Sequence, residues 1–374
     1  MKSILITGDL GITDCYDKTS ISSEIIELFE KSDFNIVNLE AAIALDSKKI
    51  RKTGPHLKAE KESLLDILKI LRIDLLTLAN NHIKDYGENE IRSTLQFCED
   101  NNIGTVGAGL NLDEARKTFY WDSGEGIVAF LNFAENEWAS ASVTSAGAHP
   151  MDIIENVYAI KNAKDNANYV IAIVHGGYEY YNLPSPRMQN QYRFYAENGV
   201  NLVVGHHTHC ISGCEVYKGV PIYYSLGNFL FTRNIENQEW YRGLILEIIL
   251  NNEKIDIKLH PVCHEKGSYR LYFPCEQENM EILSKIDSYS EIILDDKMLN
   301  RTWNDYIESK AKQYLNYWSP LSYIRNRYIR RLIQKLGLTF VNKEGLSLLL
   351  NLMRCESHLD LSKEVIARYL GNQK

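Results

Sequence analysis

The chain has 374 residues, 45% hydrophobic and 24% charged, with a formal net charge of -8. At roughly 100–200 residues per domain, that length holds two domains, or one large α/β domain with an appendage. The acidic balance argues against a general nucleic-acid binder, which carries a basic surplus, and seven scattered cysteines exclude the disulfide framework of a small secreted domain.

The first apolar run, Ser3–Thr7, ends at Gly8-Asp9. It is too short for a signal-peptide core, and no stretch reaches the ~18 apolar residues of a membrane span. The expected location is therefore cytoplasmic, with the cysteines as reduced thiols. Further short apolar runs follow at Asn35–Asn38, Leu75–Ala79, Ile103–Gly107, Ile127–Phe133, Val170–Val174 and Leu202–Val204. Amphipathic stretches of helical length lie between several of them, at Ser20–Lys31, Glu60–Leu71, Glu88–Asn101 and Arg187–Asn198. This alternation predicts βαβ units and a mainly parallel sheet, and the continuous apolar character predicts strands buried on both faces.

Beyond Val204 the rhythm changes. Cys214–Val216, Ile222–Ser225, Leu244–Leu250 and Ile255–His260 read as antiparallel strands, the last two joined by the turn Asn251-Asn252-Glu253-Lys254. From about Glu276 helical patterns dominate, which places a domain boundary near residue 275, between units 1–275 and 276–374. Within the second, Tyr323–Leu336 places Ile324, Tyr328, Ile329, Leu332, Ile333 and Leu336 on one half-turn, with Arg327, Arg330, Arg331 and Lys335 opposite and Arg325 the exception. The default reading is a helix packed on its own domain with a solvated face. The sharper one is peripheral attachment to an anionic membrane or polymer.

The residues able to do chemistry are not scattered. Asp9 and Glu40 end the first two predicted strands, Asn81-His82 follows the third, and His175, His207 and His209 follow two later ones. In an open α/β sheet that edge is where ligands bind. Oxygen and imidazole donors without a cysteine favour Mn, Zn, Fe or Ni. Three histidines in Gly205-His206-His207-Thr208-His209 would be expensive to desolvate unless they bind something. Lys52, His56 and Lys58 share one loop, which reads equally as a solvated turn or as a grip on an anionic substrate. No G-x-S-x-G elbow or P-loop is present.

The same residues carry a resemblance. Gly8-Asp9, Val37-Asn38-Leu39-Glu40, Leu78-Ala79-Asn80-Asn81-His82 with Asp85-Tyr86-Gly87, His175-Gly176-Gly177, Gly205–His209 and Tyr224-Ser225-Leu226-Gly227-Asn228-Phe229 resemble the CapA family over about residues 2–262. These are capsule and poly-γ-glutamate synthesis proteins within the calcineurin-like metallophosphoesterase superfamily. The resemblance implies an α/β fold, a metallophosphatase-like αββα sandwich with a helical C-terminal extension. It implies one or two divalent metal ions (Mn, Zn or Fe), with Glu40 bridging, Asn81, His175 and His207 on one site, and Asp9 and His209 on the other. His82 would contact the scissile group as the catalytic residue. The superfamily's Asp-x-His is here Asp9-Leu10-Gly11, and its bridging Asp is here Glu40. The expected function is a metal-dependent hydrolase using a metal-activated water on an anionic polymer, amide-linked peptide or phosphoester. The alternatives are a non-catalytic polyanion-binding accessory protein and a small-nucleotide phosphodiesterase; no long nucleic acid is expected as partner.

Overall fold

The computed structural model describes residues 1–44, 48–52, 54–251, 254–324, 326–336, 338 and 341–354, together with 358–359, 362–363, 365–366 and 370. The strands are β1 (Lys2–Gly11), β2 (Phe34–Leu39), β3 (Leu75–Thr77), β4 (Gly104–Val106), β5 (Ala108–Gly109), β6 (Phe119–Asp122), β7 (Ile127–Ala134) and β8 (Gly147–Ala148). They continue as β9 (Tyr169–His175), β10 (Leu202–His206), β11 (Cys214–Tyr217), β12 (Val220–Tyr223), β13 (Asn228–Phe231), β14 (Arg242–Asn251), β15 (Lys254–His264) and β16 (Leu271–Tyr272). The helices are α1 (Ser23–Lys31), α2 (Lys61–Ile70), α3 (Glu88–Asp100), α4 (Leu112–Ala115), α5 (Ile153–Asn166), α6 (Pro186–Glu197), α7 (Glu276–Leu294), α8 (Asp296–Trp318), α9 (Arg327–Lys335) and α10 (Lys343–Arg354).

Two sheets result. One runs β16-β15-β14-β1-β2-β3-β4, with β13 also paired to β1; the other runs β11-β12-β10-β9-β7-β6. Strand alternation decides how they stack. Ile4, Ile6, Ile36 and Leu75 point from the first sheet onto Phe130, Ile171, Ile173, Leu202 and Val204 of the second. Leu5, Val37, Leu39 and Leu76 point the other way, onto Ile25 and Phe29 of α1, Leu64 and Ile67 of α2, and Ile91 and Phe97 of α3. Ala129, Leu131, Val170 and Ala172 meet Ile160 and Ala163 of α5 and Tyr192 and Tyr195 of α6. Each buried aliphatic or aromatic side chain contributes about 1.5–3 kcal/mol.

The architecture is thus an αββα sandwich. The strand runs are buried on both faces, but by a second sheet on one side and helices on the other. A single sheet wrapped by helices does not describe it.

Two further readings are corrected, and the compact units divide the chain at a different residue from the expected boundary. Ser20–Lys31 does not form one helix, because Ser22 stays extended (ψ 147°) between a 3-10 turn at Lys18–Ser20 and α1. The strands after Val204 are not uniformly antiparallel, since β12 pairs in parallel with β10 while pairing antiparallel with β11. The change to helix at residue 275 is also not the limit of the first compact unit, which extends over Met1–Asn300, the second being Arg301–Lys374. The reason is α7, whose Ile282, Ile286 and Ile293 are buried in the sandwich cores. The Ser290 hydroxyl accepts the Cys214 N–H at 2.9 Å, capping edge strand β11.

The turn expected at Asn252-Glu253 lies outside the described residues, although β14 and β15 pair antiparallel on either side of it. Six cysteines are unpaired thiols and Cys355 lies outside the described residues. Among the described residues no helix is long and apolar enough to cross a membrane.

Candidate metal centre

The carboxyl ends of both sheets meet at one rim. Asp9 lies in β1, Glu40 directly follows β2, and Asn81-His82 lies in the turn after β3; opposite them His175 ends β9, and His207 and His209 follow β10. Tyr224–Asn228 crosses beneath and joins the two sides. Leu226 N–H donates to Gly205 O at 3.1 Å and Asp9 N–H donates to Gly227 O at 3.0 Å. A Cβ on Gly205 would stand 2.1 Å from the Tyr224 carbonyl oxygen, and one on Gly8 would stand 2.1 Å from that of Gly227. Only glycine allows these approaches. His207 and His209 take φ of 91° and 56°, a costly conformation for residues with a Cβ, of the kind held at functional sites.

Buried amides orient the candidate ligands. Asn38 Nδ2 donates to Asp9 Oδ1 at 2.7 Å, while the other carboxylate oxygen accepts the His207 N–H at 3.1 Å. Asn228 donates through Nδ2 to Trp240 O at 2.9 Å, so its Oδ1 accepts the Nδ1 proton of His209, also at 2.9 Å. This leaves His209 Nε2 as a lone pair, 3.5 Å from Glu40 Oε1. His175 Nε2 lies 3.1 Å from both Asn81 Oδ1 and His207 Nδ1. Among the three loop histidines, His206 stands apart: its Nε2 donates to Thr7 O at 2.8 Å and ties the second sheet to the first.

Two overlapping donor groups follow. Glu40, His175 and His207 bring ligand atoms within 4.8 Å of one another, as do Asp9, Glu40 and His209, and all are buried. Glu40 belongs to both, yet neither of its carboxylate oxygens has a hydrogen-bond partner among the described residues. Three imidazole Nε2 atoms surround its Oε1, at 3.5 Å (His209), 3.9 Å (His175) and 4.0 Å (His82). With metal–ligand bonds of about 2.0–2.2 Å, donors around one cation stand about 3–4 Å apart, so these separations suit an ion better than hydrogen bonds.

The electrostatics agree. Burial, then the charges of Asp9, Glu179 and Asp85, pushes the Glu40 carboxyl well above its usual range. Burial followed by neighbouring histidines pushes His175 well below the imidazole range, and burial lowers His209 against the pull of Asp9. A buried carboxylate without a partner beside neutral imidazoles is a set of donors that could hold a cation.

Comparison with known proteins places this rim in context. Residues 2–233 match the family model described as bacterial capsule synthesis protein PGA_cap. The chain belongs to this family. It is 32% identical over 235 residues to "PGA biosynthesis protein CapA" of Bacillus subtilis (strain 168), covering 62% of this chain and 60% of that protein. It is 31% identical over 270 residues to "Capsule biosynthesis protein CapA" of Bacillus anthracis, covering 69% and 64%. A "probable polyglutamine synthesis accessory protein" of Mycobacterium tuberculosis is 24% identical over 210 residues, covering 53% and 55%. The chain spans less than two thirds of the length of each of these relatives.

In this PGA_cap chain His82 is held from behind. Asp85 Oδ2 accepts its Nδ1 proton at 2.7 Å and also the Leu57 N–H at 2.7 Å, so the His82 Nε2 faces Glu40. Asn80 sets the turn, accepting the His82 N–H at 3.0 Å and donating to Leu39 O at 2.8 Å.

The three residues of the basic loop take different places. Lys52 is buried, its side chain 4% exposed, paired with Asp85 and 3.3 Å from His82 Nδ1. It lies behind His82 because Asp85 is the carboxylate within reach. His56 Nε2 donates to Ile50 O at 2.8 Å, which pins the loop, while Lys58 is exposed. Thr53, between them, lies outside the described residues.

Several residues of the PGA_cap rim escape a reading of the sequence. Asn38 and Asn132 sit inside apolar strands; Asn132 accepts the Ala79 N–H at 2.6 Å and donates to Ile173 O at 3.1 Å, bridging the sheets. Their signal is a buried amide in an otherwise apolar run. Trp240, whose ring lies 4.7 Å from that of His209, has no such signal.

Proposed function

We propose that this chain is a metal-dependent hydrolase of capsule or poly-γ-glutamate metabolism, acting on an anionic polymer, an amide-linked peptide or a phosphoester. The observation that carries this reading is Glu40, buried, unpartnered and common to two donor groups. Asp9, Glu40, Asn81, His175, His207 and His209 would hold one or two ions of Mn, Zn or Fe. Such ions supply Lewis-acid polarisation and a water that ionises near neutral pH.

The chain's own residues do the rest. Asn38 and Asn228 hold Asp9 and His209 in register, which spares the site reorganisation as charge develops. With its Nδ1–H donated to Asp85, His82 presents the Nε2 lone pair to the rim, positioned to take the proton that the attacking water loses and pass it to a leaving group. Glu40, Asp9, Asp85 and Glu179 make the cleft acidic, so an anionic substrate requires the cations.

One observation favours a second reading, a polyanion-binding accessory role without turnover. A Cβ on Gly11, where the superfamily has its first-motif histidine, would meet the Phe231 ring at 2.3 Å. Among the described residues, the Asp9 side therefore has a single imidazole, that of His209.

Metal analysis of the purified chain tests the main reading. It is expected to find at least about one equivalent of transition metal per chain, absent from the His207→Ala, His209→Ala double variant; metal near zero in both defeats it. Glu40→Gln should abolish the rise in Tm with added Mn²⁺, while the metal-free variant melts above metal-free wild type because folding no longer has to bury a carboxyl that ionises freely in the unfolded chain. A chromogenic phosphodiester assay separates the two roles: turnover lost in His82→Ala supports the enzyme, and polymer binding without turnover supports the accessory.

A further inference from the structure

We propose that the C-terminal unit carries a docking surface for an anionic lipid bilayer, formed by α9 and the exposed aromatic residues that precede it. The helix is capped at its start, where Asn326 Oδ1 accepts the N–H groups of Tyr328 at 3.0 Å and Ile329 at 3.3 Å. It is only nine residues long, shorter than the ~12–15 that an isolated helix needs in water. Burial of an apolar face must supply the remaining stability. Most of that face is exposed here: Tyr328 is 65% exposed, Ile329 49%, Leu332 60% and Leu336 66%, with Ile324 and Ile333 half-buried.

Charge selects the occupant. Tyr323–Leu336 contains Arg325, Arg327, Arg330, Arg331 and Lys335 and no acidic residue, in a chain of net charge -8. Among the described residues, Arg327, Arg330, Arg331 and Lys335 form no ion pair with a carboxylate; Arg327 instead lies over the Tyr328 ring at 4.9 Å. Arg327, Arg330 and Arg331 lie opposite the apolar face, and Lys335 stands at its border, where a long side chain can reach outward to a headgroup. Exposed aromatic rings precede the helix in the chain: Tyr317 is 59% exposed, Trp318 43% and Tyr323 88%. Tyr and Trp favour the headgroup level of a bilayer, with the ring apolar and one end wet.

A soluble polyanion fits less well. It would pair with the arginines but leave the apolar face in water. An anionic bilayer satisfies both sides of the helix at once, with its acyl boundary and its headgroups. This inference does not depend on the metal reading, since no residue is shared.

Co-sedimentation of the full chain with vesicles tests it. Binding is expected to vesicles of mixed phosphatidylglycerol and phosphatidylcholine, to weaken with added salt, and to be marginal with phosphatidylcholine alone. Leu332→Glu with Leu336→Glu, and separately Arg330→Gln with Arg331→Gln, should each lower the bound fraction constant by at least about tenfold. Both pairs are surface changes, so metal content and far-UV circular dichroism should match wild type. Equal binding to neutral vesicles, no binding to anionic ones, or undiminished binding by both variants would overturn the proposal. So would capture by soluble polyglutamate without vesicle binding.

Discussion

Lys52 and Asp85 show how a buried charge depends on its neighbour. The ion pair is enclosed, with the two side chains 4% and 0% exposed, and Asp85 simultaneously accepts the His82 proton and a backbone N–H. Removing one partner strands the other. Lys52→Met is therefore expected to cost about 3–5 kcal/mol in urea unfolding, and Lys52→Met with Asp85→Asn to recover most of that. If the single and double variants are equally destabilised, the pair is not what Lys52 contributes. At this scale the candidate ligands were legible because each is a polar residue just past an apolar run: Asp9, Glu40, Asn81, His175, His207 and His209. Their orientation was not. Asn38, Asn132 and Asn228 act by holding a ligand or a turn in place, and such a role exists only once the neighbouring strand is positioned. The two readings of Lys52 stayed open for the same reason, since nothing in its loop announces Asp85 beside it.

Among the elements, β15 carries an unusual burden. His264 is buried, neither ring nitrogen has a hydrogen-bond partner among the described residues, and its ring rests 5.1 Å from that of Tyr241. Burial lowers its pKa from 6.5 to about 3. Between those values the unfolded chain binds a proton that the folded chain refuses, so stability falls as pH drops from about 7 towards 3. His264→Leu should remove this dependence. Its advantage over wild type should grow by about 1–2 kcal/mol between pH 7 and pH 5, followed by thermal melts at both; a constant difference would show that His264 does not titrate in this range. The strands of the sandwich teach a second point. Continuous apolar runs state that both faces are covered, but not by what. Ile4 and Leu5 are chemically alike, yet one meets the second sheet and the other meets α1 and α2.

At the level of the whole molecule, the first compact unit extends to Asn300 because α7 belongs to the sandwich. A chain ending after Asn300 is expected to unfold cooperatively and to keep the metal content of the full chain. One ending after Cys275 exposes the apolar surface under Ile282 and Ile286 and uncovers β11, and should aggregate in size-exclusion chromatography. Cooperative unfolding of the shorter chain would instead place the limit at residue 275. What the sequence determined by itself was local and periodic: strands, most of the helices, and a row of donors at strand ends, because these follow from spacing along one chain. Which sheet covers which, which amide turns which imidazole, and where Lys52 points were decided only by the tertiary structure. Those relations join residues distant in sequence, such as Asp9 with His207 and His209 with Asn228 from another strand. Packing two sheets rim to rim is what brings a lone buried Glu40 into the company that gives it a purpose.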